Sequence, residues 1–330
     1  MIDPHTVRPP FRTLPIHADA PPRSAWGLYA PDDERGALNL LTPARVADAA
    51  LLVRMGKQFR LDLPLDEPHP TFFSREPMRH EVLEILPNVL DDRLDGFFPQ
   101  ASTQWDALAH YAHSVHGFYN GHTAAQAKAG RLSIDTMAGQ GLAGRAVLAD
   151  VAGYQEQIGA PFDPDSSFVV SVDILRATLA AQGTMLRTGD LLLVRTGWLG
   201  WFLGLPAGER QRVADSSREL FTFRLPGLGP APAMAEYLWD AGVAMLAADT
   251  PMVEVYPVVA AIDDPSAFTI DDTMHAQVMA LLGIPLGEFF VLDPLAADCR
   301  TDARWEGFFT SAPLRLRGGI GSPPNVIVFK

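Results

Sequence analysis

Five consecutive residues, Leu191-Leu-Leu-Val-Arg195, constrain this chain more than any other stretch. Four apolar side chains in a row leave a strand with no polar face, so it must be covered on both sides. The turn Thr188-Gly189-Asp190 leads into it. Burial on both faces belongs to layered α/β folds, in which helices flank a sheet. The rest of the sequence supplies such partners. Val243 to Ala248 reads as a second strand that delivers Asp249 at its C-terminal end. Phe59–Leu65, Arg145–Val151 and Glu288–Leu292 read as further strands. Thr42-Pro43 predicts a helix start, with Val46, Ala49, Ala50 and Val53 as its apolar stripe and Gly56 as its end. Asp173 caps a second helix, with Leu175 and Leu179 inward and Gly183 as its stop. Ala233–Ala241 is a third. Asp271 or Asp272 caps a fourth, which holds His275, carries Leu281 and Leu282 on its apolar side and stops at Gly283. Strands and helices intermix without strict alternation, and no repeat or linker divides the interior. The expectation is a Pro-rich extended arm over residues 1–25 and one α/β domain over 26–330.

Hydrophobic residues make up 48% of the 330, enough for a substantial core, and the formal net charge is -13. A surface of that sign repels phosphate backbones and anionic lipid. The expected partners are a small-molecule substrate and further copies of the chain, as a homodimer or homotetramer, with neither nucleic acid nor membrane. Prolines and charges interrupt the N-terminal segment, and the most apolar window contains Arg195, so neither a secretory signal nor a membrane span is expected and the location reads as cytoplasmic. The single cysteine, Cys299, excludes an intramolecular disulfide and reads as a buried, inert thiol.

The chemistry concentrates in Gln100-Ala-Ser-Thr-Gln-Trp-Asp-Ala-Leu-Ala-His110. His113, His116 and His122 follow at once. If the segment is extended, Gln100, Gln104 and Asp106 share one face. If it turns helical near Asp106, then Asp106, His110 and His113 share one. Either way a carboxylate meets an amide or an imidazole, which suits metal ligation or an oriented acid/base pair. Phe97, Phe98, Trp105 and Tyr119 are candidate walls of an apolar substrate pocket, with core packing as their alternative role. Gly139-Gln-Gly141-Leu-Ala-Gly144 matches the dinucleotide-binding spacing, but it leads into a strand where that motif requires a helix. Asp91-Asp92, Asp263-Asp264 and Asp271-Asp272 read as turns and helix caps.

The motif resembles His-x-Gly-Thr-His-x-Asp-x-x-x-His, which marks the cyclase-like metal-dependent hydrolases, a family that includes kynurenine formamidase and isatin hydrolase. Gln100 to His110 aligns with it without gaps. Trp26-Gly27, Gly36 to Pro43, Gly189 to Trp198, Asp249-Thr-Pro251, and His275 with Leu281-Leu-Gly-Ile and Glu288 extend the likeness over most of the chain. The resemblance implies a swivelling β/β/α fold: a single domain whose mixed sheet curls into a barrel-like core with helices outside. It implies Asp106 as a metal ligand, His110 as acid/base, and His275 with Glu288 as a second ligand pair. The departure is that Gln100 and Gln104 replace the two histidines of the motif. An amide oxygen binds zinc poorly beside imidazole and suits harder ions. The expected cofactor is a divalent ion (Mn, Zn or Mg), with three outcomes open: a harder ion (Mn, Mg or Ca) that still uses Gln100 and Gln104; an ion held by Asp106, His275 and Glu288 with help from His110 or His113; or no ion. The corresponding functions are a hydrolase that opens a cyclic or acyl amide or a lactone, a metal-independent lyase or cyclase built on His110 and Asp106, and a non-catalytic small-molecule-binding protein.

Overall fold

The computed structural model describes residues 8–219, 222–230, 232–258 and 269–330. Asp263-Asp264 lies outside them. The strands are β1 (Gln58–Arg60), β2 (Arg79–Leu86), β3 (Val89–Asp95), β4 (Gln104–Asp106), β5 (Leu142–Asp150), β6 (Val169–Val170), β7 (Leu191–Arg195), β8 (Gly227–Leu228), β9 (Met245–Ala248), β10 (Leu286–Glu288), β11 (Glu306–Ser311), β12 (Gly321–Ser322) and β13 (Val326–Phe329).

One mixed sheet runs in the order β1-β13-β11-β5-β7-β9-β10-β4-β12 and curls into a half-barrel. Its centre, β5-β7-β9-β10, is parallel. Its flanks are antiparallel. The all-apolar run lies where its composition demands: Leu191 to Val194 are buried between β5 and β9. Helices Pro43–Ala50, Val151–Gln157 and Val172–Ala181 pack on this centre. Gly144 sits within β5, so the glycine-rich stretch is a strand entry and not a phosphate loop. Among the described residues, no helix is long and apolar enough to cross a membrane.

Several local expectations shift. The helix from Pro43 ends at Ala50, and Val53 and Leu51 stand exposed, because no core lies beyond Ala49. Ser171, not Asp173, caps Val172–Ala181 by accepting the Ile174 amide. The first strand covers only Gln58–Arg60. The last predicted strand is displaced to Leu286–Glu288 because Phe289 turns left-handed, with φ +56. A bulky residue rarely adopts that conformation. Here the Phe289 ring anchors in a second core with Phe72, Trp198, Phe202 and Phe223, and its carbonyl accepts the Thr103 hydroxyl at 2.7 Å. Asp91 and Asp92, expected in a turn, lie inside β3. Residues 9–11 of the Pro-rich segment lie against the helix Pro232–Asp240: Trp239 donates to the Pro9 carbonyl, and Asp240 accepts the Phe11 amide.

Candidate active site

The register of two short strands builds a cluster of buried charge. β4 and β10 run antiparallel, with Gln104 opposite Glu288 and Asp106 opposite Leu286. Alternation puts Gln104, Asp106 and Glu288 on one face, and Trp105 with Gly287 on the other. Gly287 is required there, since a Cβ would stand 2.5 Å from the Trp105 ring. On the polar face the Gln104 side-chain amide donates to Glu288 Oε2 at 2.7 Å and reaches Asp106 Oδ2 at 3.5 Å. The amide is therefore a donor bridging two carboxylates.

His275 opens a π-helical segment, His275–Leu281, a geometry that recurs at functional sites. Its Nδ1 meets both carboxylate oxygens of Glu254, at 2.8 and 2.9 Å. A carboxylate can only accept here, so Nδ1 carries the proton. Nε2 points to Glu288 Oε1 at 3.3 Å. Burial opposes a charged imidazole, yet Glu254 and Glu288 together outweigh it and hold the His275 pKa well above its usual value. Burial first, then the neighbouring Asp106 charge, pushes Glu288 up to about 7. His110 stands at the open side with a quarter of its side chain exposed, its Nδ1 3.9 Å from Asp106 Oδ1. Burial lowers its pKa more than Asp106 raises it. Arg75 lies within range of the Glu288 and Asp106 charges.

Two observations bear on a metal ion. Single ligand atoms of Asp106, His110 and His275 lie within 4.8 Å of one another. Two buried acceptors, Gln104 Oε1 and Asp106 Oδ1, have no hydrogen-bond partner, and Glu288 Oε1 meets only His275 Nε2, at 3.3 Å. Buried acceptors are rarely left so, and a cation satisfies them. The donor set fits a divalent ion.

The model of the Cyclase family matches residues 59–255. A crystal structure described as a novel cyclase is 30% identical, with a TM-score of 0.78, and the match covers 93% of this chain and 97% of that one. This chain belongs to the cyclase family. Isatin hydrolase A from Ralstonia solanacearum shares the fold at 19% identity and a TM-score of 0.59, over 87% of this chain and 97% of that one. So does an isatin hydrolase bound to the product analogue thioisatinate, at 14% identity and 0.56, over 86% and 94%. No curated protein matches the chain.

On this cyclase fold the sequence candidates separate. Gln104, Asp106, His110, His275 and Glu288 come together. Gln100 does not join them as a ligand: it precedes β4, its carbonyl accepts from Arg75 at 2.6 Å, and its amide lies against Gly321. Trp105 is not a pocket wall. It is fully buried, donates to Ser311 at 3.0 Å and packs on Phe290. Tyr119 is likewise core, its hydroxyl donating to Asp33 at 3.2 Å and its ring set against Gly283. Phe97 and Phe98 line cavities whose linings include none of Asp106, His110, His275 and Glu288. His113 pairs with Asp271 at 3.4 Å and stands 4.5 Å from the His116 ring. Asp271-Asp272 keep a turn role, Asp272 accepting the Thr269 amide, but neither caps the helical segment of His275, which follows Met274 with no side-chain cap because the short turn Ile270–Asp272 ends before it. Asp249 accepts three hydrogen bonds from Thr196 and Gly197. Cys299 is buried beside Lys330, and burial pushes its thiol up to about 11, as an inert thiol requires.

Glu254 and Arg75 escaped the sequence reading. Glu254 carries a local signal, a lone carboxylate inside the apolar run Met252-Val-Glu-Val-Tyr256. A charge is almost never fully buried unless it is paired. Nothing local marks Arg75.

Proposed function

We propose that the chain is a hydrolase that opens a cyclic or acyl amide, or a lactone, with Asp106, His275 and Glu288 holding a divalent ion. The partnerless Asp106 oxygen, the convergence of Asp106 and His275 ligand atoms, and the carboxylate-oriented imidazole between Glu254 and Glu288 carry this assignment. A carboxylate behind a ligating histidine fixes its tautomer and raises its basicity, which is the part Glu254 plays. Mixed imidazole and carboxylate ligands suit Mn or Zn better than Mg. Such an ion, when bound, polarises a carbonyl and lowers the pKa of water. Gln104 holds the two carboxylates apart as a donor. His110, kept neutral at pH 7 by its lowered pKa, accepts the proton of the attacking water and returns it to the leaving nitrogen or oxygen. Arg75 offsets the charge of the carboxylates. Isatin is a cyclic amide, and the shared fold of the isatin hydrolases supports this substrate class.

The test is elemental analysis of the untagged protein, followed by turnover of a panel of cyclic amides, formanilides and lactones with and without chelator. About one equivalent of Mn or Zn and chelator-sensitive hydrolysis are expected. Turnover indifferent to chelator in metal-free protein would overturn the metal assignment and favour a lyase or cyclase that uses His110 and Asp106. One observation favours that second reading: a protonated His275 between Glu254 and Glu288 already balances much of the buried negative charge.

A further inference from the structure

We infer that Arg75 and Gln100 form a carboxylate-binding subsite beside the buried cluster, so that the substrate of this site is an amide or lactone carrying a carboxylate of its own. The inference rests on the hydrolase reading for the bond that breaks, and not for the group that is held.

The chain reverses sharply to present Arg75. Phe72 anchors the loop in the second core, its ring 5.7 Å from that of Phe289. Phe73 and Ser74 then follow one another in the left-handed region, with φ +56 and +60. Residues other than glycine seldom adopt it, and such strain concentrates at functional sites. The turn is tied on both sides: the Phe73 amide donates to Ser217 at 3.0 Å, and the Arg75 carbonyl accepts the Thr71 hydroxyl. The guanidinium lies 5.3 Å from the centre of the Phe73 ring, and its Nη1 donates to the Gln100 carbonyl at 2.6 Å. Among the described residues that is its sole hydrogen bond. Nε and Nη2 are left unpartnered and open to solvent. Those two atoms form the edge with which a guanidinium grips a carboxylate through two parallel bonds.

Gln100 adds a third donor. β12 pairs with β4, with Gly321 opposite Asp106. Residues directly opposed across two strands project to the same face. Gly321 has no side chain, and the Gln100 amide nitrogen fills the space, 2.7 Å from where a Cβ would stand. The amide therefore lies next to Asp106 on the polar face, and the described residues give it no hydrogen-bond partner. A neutral carbonyl needs one or two donors. Three on one side of a cation suit an anion with two oxygens. Asp106 and Glu288 act on the Arg75 charge only through space, and burial strips the guanidinium of hydration that a bound anion would replace. From this anchor a substrate meets Asp106 first and His110 next.

Benzoate and benzamide, alike in shape and different in charge, test this by titration calorimetry on the full chain as purified, with bound metal measured in every sample. Benzoate should bind the parent protein roughly tenfold or more tightly than benzamide. Arg75→Met should abolish that preference by weakening benzoate roughly tenfold or more, with metal content and circular dichroism unchanged. Arg75→Lys keeps the charge without the fork and should recover only part of the loss. Gln100→Ala should weaken benzoate about threefold to tenfold. A parent protein that binds both alike, or neither, would overturn the inference. So would benzoate binding that survives Arg75→Met, which would put the carboxylate on the ion. Absence of hydrolysis across the amide and lactone panel would sink the hydrolase reading and leave the preference for benzoate readable by itself.

Discussion

The cluster between β4 and β10 and the ribbon β2–β3 break the same rule in opposite directions. The first puts Asp106, Glu254 and Glu288 in the interior. The second puts Val82, Leu86 and Leu90 in water. Charges are rarely buried unless paired, and large exposed apolar patches are rare on monomers. The cluster compensates internally, through Gln104 and His275. The ribbon pairs charges on both faces, Arg93 with Glu81 and Asp95 on one and His80 with Asp92 on the other, and leaves its apolar side chains in water among them. Compensation inside the fold makes a site that one chain can complete. Outside it, the ribbon's apolar side chains stand exposed between those pairs.

The sharpest way to break the comparison is to silence the interior cluster. His110→Ala should lower kcat about 10²–10⁴-fold, as loss of a general acid/base does. Asp106→Ala should abolish turnover with the fold intact by circular dichroism, and retained activity in both would sink the proposed chemistry. On the opposite face of the same strand, Trp105→Ala should leave the cluster's residues in place and cost about 3–5 kcal/mol, read by urea denaturation. A cost below about 1 kcal/mol would mean that the indole is not the core anchor its burial implies.

Smaller effects sharpen the contrast. Glu254→Gln keeps a side chain behind His275 but removes its charge, and should weaken metal affinity about 10–100-fold in a competition titration. Unchanged affinity would separate His275 from the metal. The lowered pKa of His110 means its neutral form persists to more acidic pH than an ordinary histidine, near 6.5. The acid limb of kcat/KM should therefore lie below that value, and a limb above it would assign the proton step elsewhere. Smallest of all, Leu90→Ser in the β2–β3 ribbon should change the stability of the protein by no more than about 0.5 kcal/mol, since little is buried there. A larger loss would show that the ribbon buries Leu90.

Much of the fold is legible from composition alone. Leu191 to Arg195 can only be a doubly covered strand, and it forms over those same residues. Where neighbours in sequence are also neighbours in space, as with Asp106 and His110, the pattern is informative. It fails where a distant element decides. The last strand stops at Glu288 because the Phe289 ring has an aromatic cluster to enter, and nothing near it in sequence shows that cluster. The parity that groups Gln100 with Gln104 holds only if the chain stays extended, and the strand begins at Gln104.

By itself the sequence determines the layered α/β class, the identity of the reactive side chains and their cyclase-like order, because periodicity and short spacings are local properties. Tertiary structure alone decided that Gln104 is a donor to Glu288, that Glu254 orients His275, and that Trp105 is core and not pocket. The first and last depend on the register of β4 against β10, 184 residues apart at Gln104 and Glu288, and the second on Glu254 meeting a helical segment 21 residues later. One residue of slip in β4 would turn Gln104 and Trp105 to the other face.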